Sequence, residues 1–228
     1  MSQYGFVKVD REVEKVLREP KAPTAQSVVP VPSGKLAQFF LDYATKELPI
    51  GTLNHSLRIF QYGVAIIKDQ FPAWDLDEEV IFVTALLHDI GTSDKNLEGT
   101  KLSFEYYGAF LSRELILRET GGDADYADAV AEAIIRHQEL TTTGYITSLG
   151  LILQIVTTLD NVGANTNLIH QDTLYAVNEK YQRFGWATCF STVLTKEADL
   201  KPWCHSTTLD IEVFREKVLN NQVTYEKK

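Results

Sequence analysis

Cysteine is scarce in this chain of 228 residues, which has only Cys189 and Cys204. They lack CxxC spacing and a finger-like histidine pattern, although Cys204 and His205 are adjacent. A disulfide framework is therefore not expected, and reduced thiols in a cytoplasmic or nuclear compartment fit better. Basic residues are also in short supply: 22 Lys and Arg against 31 Asp and Glu leave a formal net charge of −9. That balance argues against a nucleic-acid partner, whose surface needs clustered cations, and weighs mildly against highly anionic substrates. No run of about 18 apolar residues occurs, and the first residues lack the apolar core of a secretory signal, so no membrane partner is expected and a soluble protein is. Internal repeats, low-complexity tracts and the period-two pattern of a β-sheet are missing as well.

What is present is enough to bury a sizeable core, since 44% of residues are hydrophobic. Four of the seven prolines, Pro20, Pro23, Pro30 and Pro32, fall before residue 33. Residues 1–32 thus read as an extended N-terminal arm, too polar for its own core, that packs along the parent bundle or exchanges with a neighbouring subunit. From residue 33 to 228 the pattern is helical. Helices are expected at 34–48, 53–71, 77–89, 103–120, 123–137, 146–162, 172–184, 187–198 and 209–221, punctuated by Pro49, Pro72, Gly91 and Gly121–Gly122. Asp77 and Asp123 have the position and type of N-caps. The fold class is all-α, a helical bundle whose centre is the apolar helix 146–162.

Polar residues at the ends of these apolar helices draw attention. His88 and Asp89 close the run VIFVTALL, and burying an ionised carboxylate without a partner costs several kcal/mol, so such a pair calls for a cation or a tight hydrogen-bond network. His55 stands at the start of one helix and Asp160 near the end of another. Two imidazoles and two carboxylates suit one divalent metal with a position left for water. Neighbours on a helix diverge by about 100°, but a helix end followed by Gly91 can bend. Each residue also has an ordinary role open to it: His55 as a cap or surface residue, Asp160 as a hydrogen-bonded carboxylate near a helix end. The joint pattern is what favours a metal.

The order His, His-Asp, Asp in segments NHSLR (54–58), LLHDIG (86–91) and TTLDNV (157–162) resembles the HD-domain superfamily across most of residues 33–167. The stretches LNHSLRIF, KDQFPAWDLD, GLILQI and KPWCH are similar to the fungal cyanamide hydratases, from MSQYGFV to the C-terminal helix. The resemblance implies one zinc ion per chain, bound by His55, His88, Asp89 and Asp160, and hydration of cyanamide, a small nitrile, to urea. Iron, manganese or nickel could also fill a His/Asp site.

The chemistry is compatible with that implication. Zinc lowers the pKa of bound water from 15.7 to about 7, so a metal-bound hydroxide could attack the nitrile carbon at neutral pH. His137, the only histidine between Asp89 and Asp160, is the expected proton shuttle or substrate holder, and Asp89 could also orient the attacking water. Asn54, Thr157 and Lys95 are candidates for substrate binding, although each residue type also caps helices or sits solvated in loops. His170 and His205 are assigned to surface or interface roles. Two other readings remain open: a phosphohydrolase acting on a nucleotide or another phosphate ester, with Arg58, Lys95, Lys101 and Arg136 near the motifs, and a metal-stabilised scaffold whose arm clasps a partner or forms a homo-oligomer.

Overall fold

The protein's structure is a computed structural model describing residues 4–221; residues 1–3 of the expected arm and 222–228 lie outside them. In chain order the elements are β1 (Lys8–Asp10), α1 (Val13–Val16), α2 (Lys35–Glu47), α3 (Ile50–Gln70), α4 (Glu78–Leu87), α5 (Asp94–Glu98), α6 (Phe104–Thr120), α7 (Ala124–Arg136), β2 (Tyr145–Thr147), α8 (Ser148–Val162), α9 (Gln171–Lys180), α10 (Trp186–Leu200) and α11 (Ile211–Leu219). Short 3-10 turns cover Ile90–Thr92, Thr166–Leu168 and His205–Leu209. No described helix is long and apolar enough to cross a membrane.

Local chemistry sets the boundaries. The Asp77 carboxylate accepts from the Glu79 N–H and starts α4, and Asp123 does the same for α7 through the Tyr126 N–H. α6 stops at Gly121, whose φ of 71° is the left-handed conformation that glycine adopts without a Cβ penalty. Every residue of α4 from Val80 to Leu87 is buried, as are most of α3 and α8. These three helices form the centre, with Phe60 of α3 packed edge-on against Phe82 of α4 at 5.0 Å between ring centroids. A smaller apolar cluster of Leu97, Phe104, Trp186, Phe190, Leu194 and Val218 brings α10 and α11 over one end of the core.

The arm departs from a purely extended strap. Its β1 pairs antiparallel with β2, Val9 opposite Ile146, just ahead of α8. Ile146 therefore belongs to a strand rather than to the first turn of the expected helix. Further along, glutamine side chains of α3 mimic a sheet edge: Gln70 exchanges two hydrogen bonds with the backbone of Lys21, and Gln61 does the same with Val29. In this chain the arm lies along its own bundle.

Candidate metal centre

The backbone leaves its helix where the site begins. His88 keeps helical dihedrals (φ −59°, ψ −35°), but Asp89 (φ −102°, ψ 12°) steps out into the turn Ile90–Thr92. That step removes the divergence between helical neighbours and brings Asp89 Oδ2 to 3.2 Å from His88 Nε2. Gly91 makes it possible, because a Cβ there would collide with the Phe104 carbonyl oxygen at the start of α6. The Thr92 hydroxyl donates to the Asp89 carbonyl (2.6 Å) and the Asn96 amide to that of Ile90 (2.7 Å), which brace the turn.

His55 comes from α3. It sits more than a turn inside the helix rather than opening it, because Pro49 takes the N-cap position and Ile50 begins the helix. Its Nε2 lies 3.2 Å from His88 Nε2. Neither nitrogen is free to donate when the rings are neutral. His55 Nδ1–H donates to the Asp160 carboxylate (2.6 Å) and His88 Nδ1–H to the Ala85 carbonyl (2.8 Å), both acceptors only, so each Nε2 presents a lone pair to the other. Asp89 Oδ2 is buried beside them with no hydrogen-bond partner among the described residues. His137, at the end of α7, repeats the pattern: Nδ1–H donates to the Ile134 carbonyl (2.7 Å), and Nε2 is 3.8 Å from Asp89 Oδ1.

Such a convergence of lone pairs needs a positive charge at its centre. Burial pushes the His55 imidazole down to about 4 despite Asp160, and burial followed by the charge of His88 lowers His137. His88 goes the other way: burial alone would lower its pKa, yet the neighbouring Asp89 carboxylate lifts it above the usual histidine value. Burial would raise Asp89, but His88, then His55 and His137, hold it well below the usual carboxylate range. A proton on His88 relieves the crowding in part. A divalent cation relieves it fully, and His55, His88 and Asp89 have donor atoms close enough together to share one. Two imidazole nitrogens and one carboxylate are a donor set that catalytic zinc sites use, with a fourth position left open.

Asp160 corrects the four-ligand expectation. Its carboxylate lies at the opposite ring nitrogen of His55, away from the shared centre. Both oxygens are committed there: Arg58 Nε and an Arg58 amino group donate at 2.9 and 2.7 Å, and Arg183 donates at 3.1 Å. Burial would raise its pKa, but the two guanidinium groups keep it ionised. The sequence shows a carboxylate at the right place in the chain but not the two arginines that turn it away. Its position matches the carboxylate that typically orients a metal-bound histidine from behind.

Two other expectations change. Asn54 donates to the Gln182 carbonyl (2.7 Å) and so anchors the segment between α9 and α10. Lys95 is 80% exposed, with Glu47 3.9 Å away, and does not reach the site. Thr157 does line the cavity at the centre, together with His88, Asp89, His137, Gln138 and Asn161, and with Phe190, Leu209 and Phe214 from the α10–α11 layer. The volume is about 20 Å³, little more than one water-sized guest occupies on the same measure. No lysine or arginine among the described residues is in its lining. Trp186, whose ring stacks on His55 at 4.1 Å, is among the aromatics that the sequence offers as core, subunit-contact or pocket-mouth residues, while Gln138 and Asn161 carry no site role in it. The run TTLDNV was the one available signal, since Asn161 and Thr157 are one helical turn apart within it.

Comparison with known proteins gives the same outline. A family model described as HD domain matches residues 52–165, which include His55, His88, Asp89, His137 and Asp160. Cyanamide hydratase DDI2 and Cyanamide hydratase DDI3 of Saccharomyces cerevisiae are each 61% identical over 225 residues, spanning 99% of this chain and all of each relative. With the His-Asp step, the paired imidazoles and this full-length likeness together, the chain belongs to the cyanamide hydratase family of HD-domain proteins.

Proposed function

We propose that this chain hydrates cyanamide to urea, with one zinc ion held by His55, His88 and Asp89. The observation that carries the reading is the 3.2 Å approach of two imidazole Nε2 lone pairs beside Asp89 Oδ2, which has no hydrogen-bond partner among the described residues, with His88 and Asp89 lining a cavity of about 20 Å³. The ion, when bound, would supply Lewis acidity and a water acidified to near-neutral pKa.

The reaction balances without a redox partner. A water oxygen bonds to the nitrile carbon, the electron pair of one C≡N π bond moves to nitrogen, and that nitrogen takes the proton the water gives up. A further proton shift from oxygen to nitrogen gives urea. A proton-carrying role for His137 is supported by its contacts: Nδ1–H is tied to the Ile134 carbonyl, Nε2 is 3.8 Å from Asp89 Oδ1, and the residue lines the cavity. The Thr157 hydroxyl proton is directed at the Leu153 and Gln154 carbonyls (2.8 and 3.2 Å), so its lone pairs remain to accept from the substrate's amino group.

A phosphate ester fits less well. Phosphoryl transfer needs cations at the leaving oxygens, and none of the four cationic candidates lines the cavity: Arg58 pairs with Asp160, Arg136 with Glu132 and Glu139, and Lys95 and Lys101 are exposed. Parallel assays of urea release from cyanamide and phosphate release from nucleotides test the reading. Urea with no phosphate is the expected outcome; phosphate with no urea would replace it with the hydrolase reading.

A further inference from the structure

We infer that the side-chain amide of Asn161 is a fixed hydrogen-bond donor to the nitrile nitrogen, held in that orientation by Trp186; the inference rests on the cyanamide reading above. The Trp186 indole N–H donates to Asn161 Oδ1 at 2.9 Å, a buried contact. An indole N–H can only donate, so the amide must present its oxygen there, and a flipped amide would set two donors face to face. The NH2 group is thereby turned the other way. Asn161 lines the cavity beside His88, Asp89, His137 and Thr157, and its NH2 donates to no protein acceptor among the described residues.

Trp186 cannot readily move to release that constraint. It is 1% exposed, and its ring is stacked between His55 at 4.1 Å and Phe190 at 5.1 Å. The donor is therefore oriented before any substrate arrives. Thr157, one helical turn earlier, presents lone pairs instead. One donor and one acceptor on the same helix face suit a molecule with an amino group at one end and a nitrile nitrogen at the other.

The two ends differ in what they do. As the carbon–oxygen bond forms, an electron pair collects on the nitrile nitrogen, so a hydrogen bond to that atom strengthens in the transition state more than in the bound substrate. Donors of this kind act on kcat, typically by about 100-fold to 1,000-fold.

Asn161→Asp tests the idea closely, because the carboxylate still accepts from the indole N–H but offers no donor to the cavity. Asn161→Asp and Asn161→Ala should each lower kcat by about 100-fold or more, with KM changing far less and bound metal unaltered. Trp186→Phe keeps a ring on His55 but removes the N–H, freeing the amide to turn, and should lower kcat by a smaller factor. Values of kcat within about twofold of the parent in Asn161→Asp, at equal metal content, would overturn the inference. A second readout does not depend on turnover. In parent protein titrated with cyanamide, the Asn161 side-chain amide resonances should shift, and those of the Trp186 indole should stay close to place. Unshifted amide resonances at saturating cyanamide would overturn the inference; absence of urea from a parent protein whose amide does shift would count against the hydratase reading alone.

Discussion

Asp160 and His55 are joined by a 2.6 Å hydrogen bond between two fully buried side chains, and that bond leaves the other ring nitrogen of His55 bare toward His88. The carboxylate fixes the tautomer and the tilt of the ring, while Arg58 and Arg183 fix the carboxylate. Asp160 thus acts on the site through His55. Asp160→Asn should weaken metal affinity by about 10-fold to 100-fold in chelator competition. Asp160→Ala strands two buried guanidinium groups and should cost about 3–5 kcal/mol in denaturant unfolding. Undiminished metal affinity in Asp160→Asn would remove the orienting role.

His137 is predicted to separate binding from turnover. Its Nε2 is 3.8 Å from Asp89 Oδ1, and it is not among the three residues able to share one ion. His137→Ala should therefore keep its metal while kcat falls by about 100-fold, the ordinary scale of a lost general acid–base. Measured metal content that falls together with kcat would instead make His137 a ligand.

Lys95 and Asn54 should matter little for substrate. Lys95→Ala touches an exposed side chain and should leave kcat/KM and stability, within about 0.5 kcal/mol, as they were. Asn54→Ala removes a buried hydrogen bond to Gln182 and should cost about 1 kcal/mol with KM unchanged. A raised KM in either variant would return that residue to the substrate site.

Away from the metal centre, His205 offers a pH test of the fold. Its Nδ1 lies 2.6 Å from the buried Glu105 carboxylate, and that hydrogen bond raises the imidazole's pKa against the opposing pull of burial. A group whose pKa is higher folded than unfolded stabilises most when protonated in both states. The contribution is therefore fully present below about pH 6.5, the unfolded value, and is lost as pH rises through the higher folded value. The Tm difference between the parent and His205→Gln should be largest at mildly acidic pH and shrink on going alkaline. A difference that grows with pH would contradict the pairing.

The sequence carried the helices better than the site. Asp77, Asp123 and Gly121 mark helix ends by local chemistry alone, so those boundaries are readable from a few neighbouring residues. β1 and β2 escaped because three-residue strands carry almost no periodicity, and their pairing joins residues far apart in the chain. The same limit applies at the metal centre. His88 and Asp89 are adjacent and could be recognised, whereas the aim of Asp160 depends on Arg58 and Arg183, and that of Asn161 on Trp186. Spacing along one helix says which face a residue occupies, not which partner from another helix captures it.

Hydration should require one cation shared by His55, His88 and Asp89. Chelated protein, titrated with zinc while urea release from cyanamide is followed, tests this in a single series. Turnover should be absent at the start, rise in proportion to added zinc and level off at about one ion per chain, the stoichiometry of a site with three protein ligands. Urea formation at full rate from protein shown to contain no metal, or none at any zinc level, would contradict it.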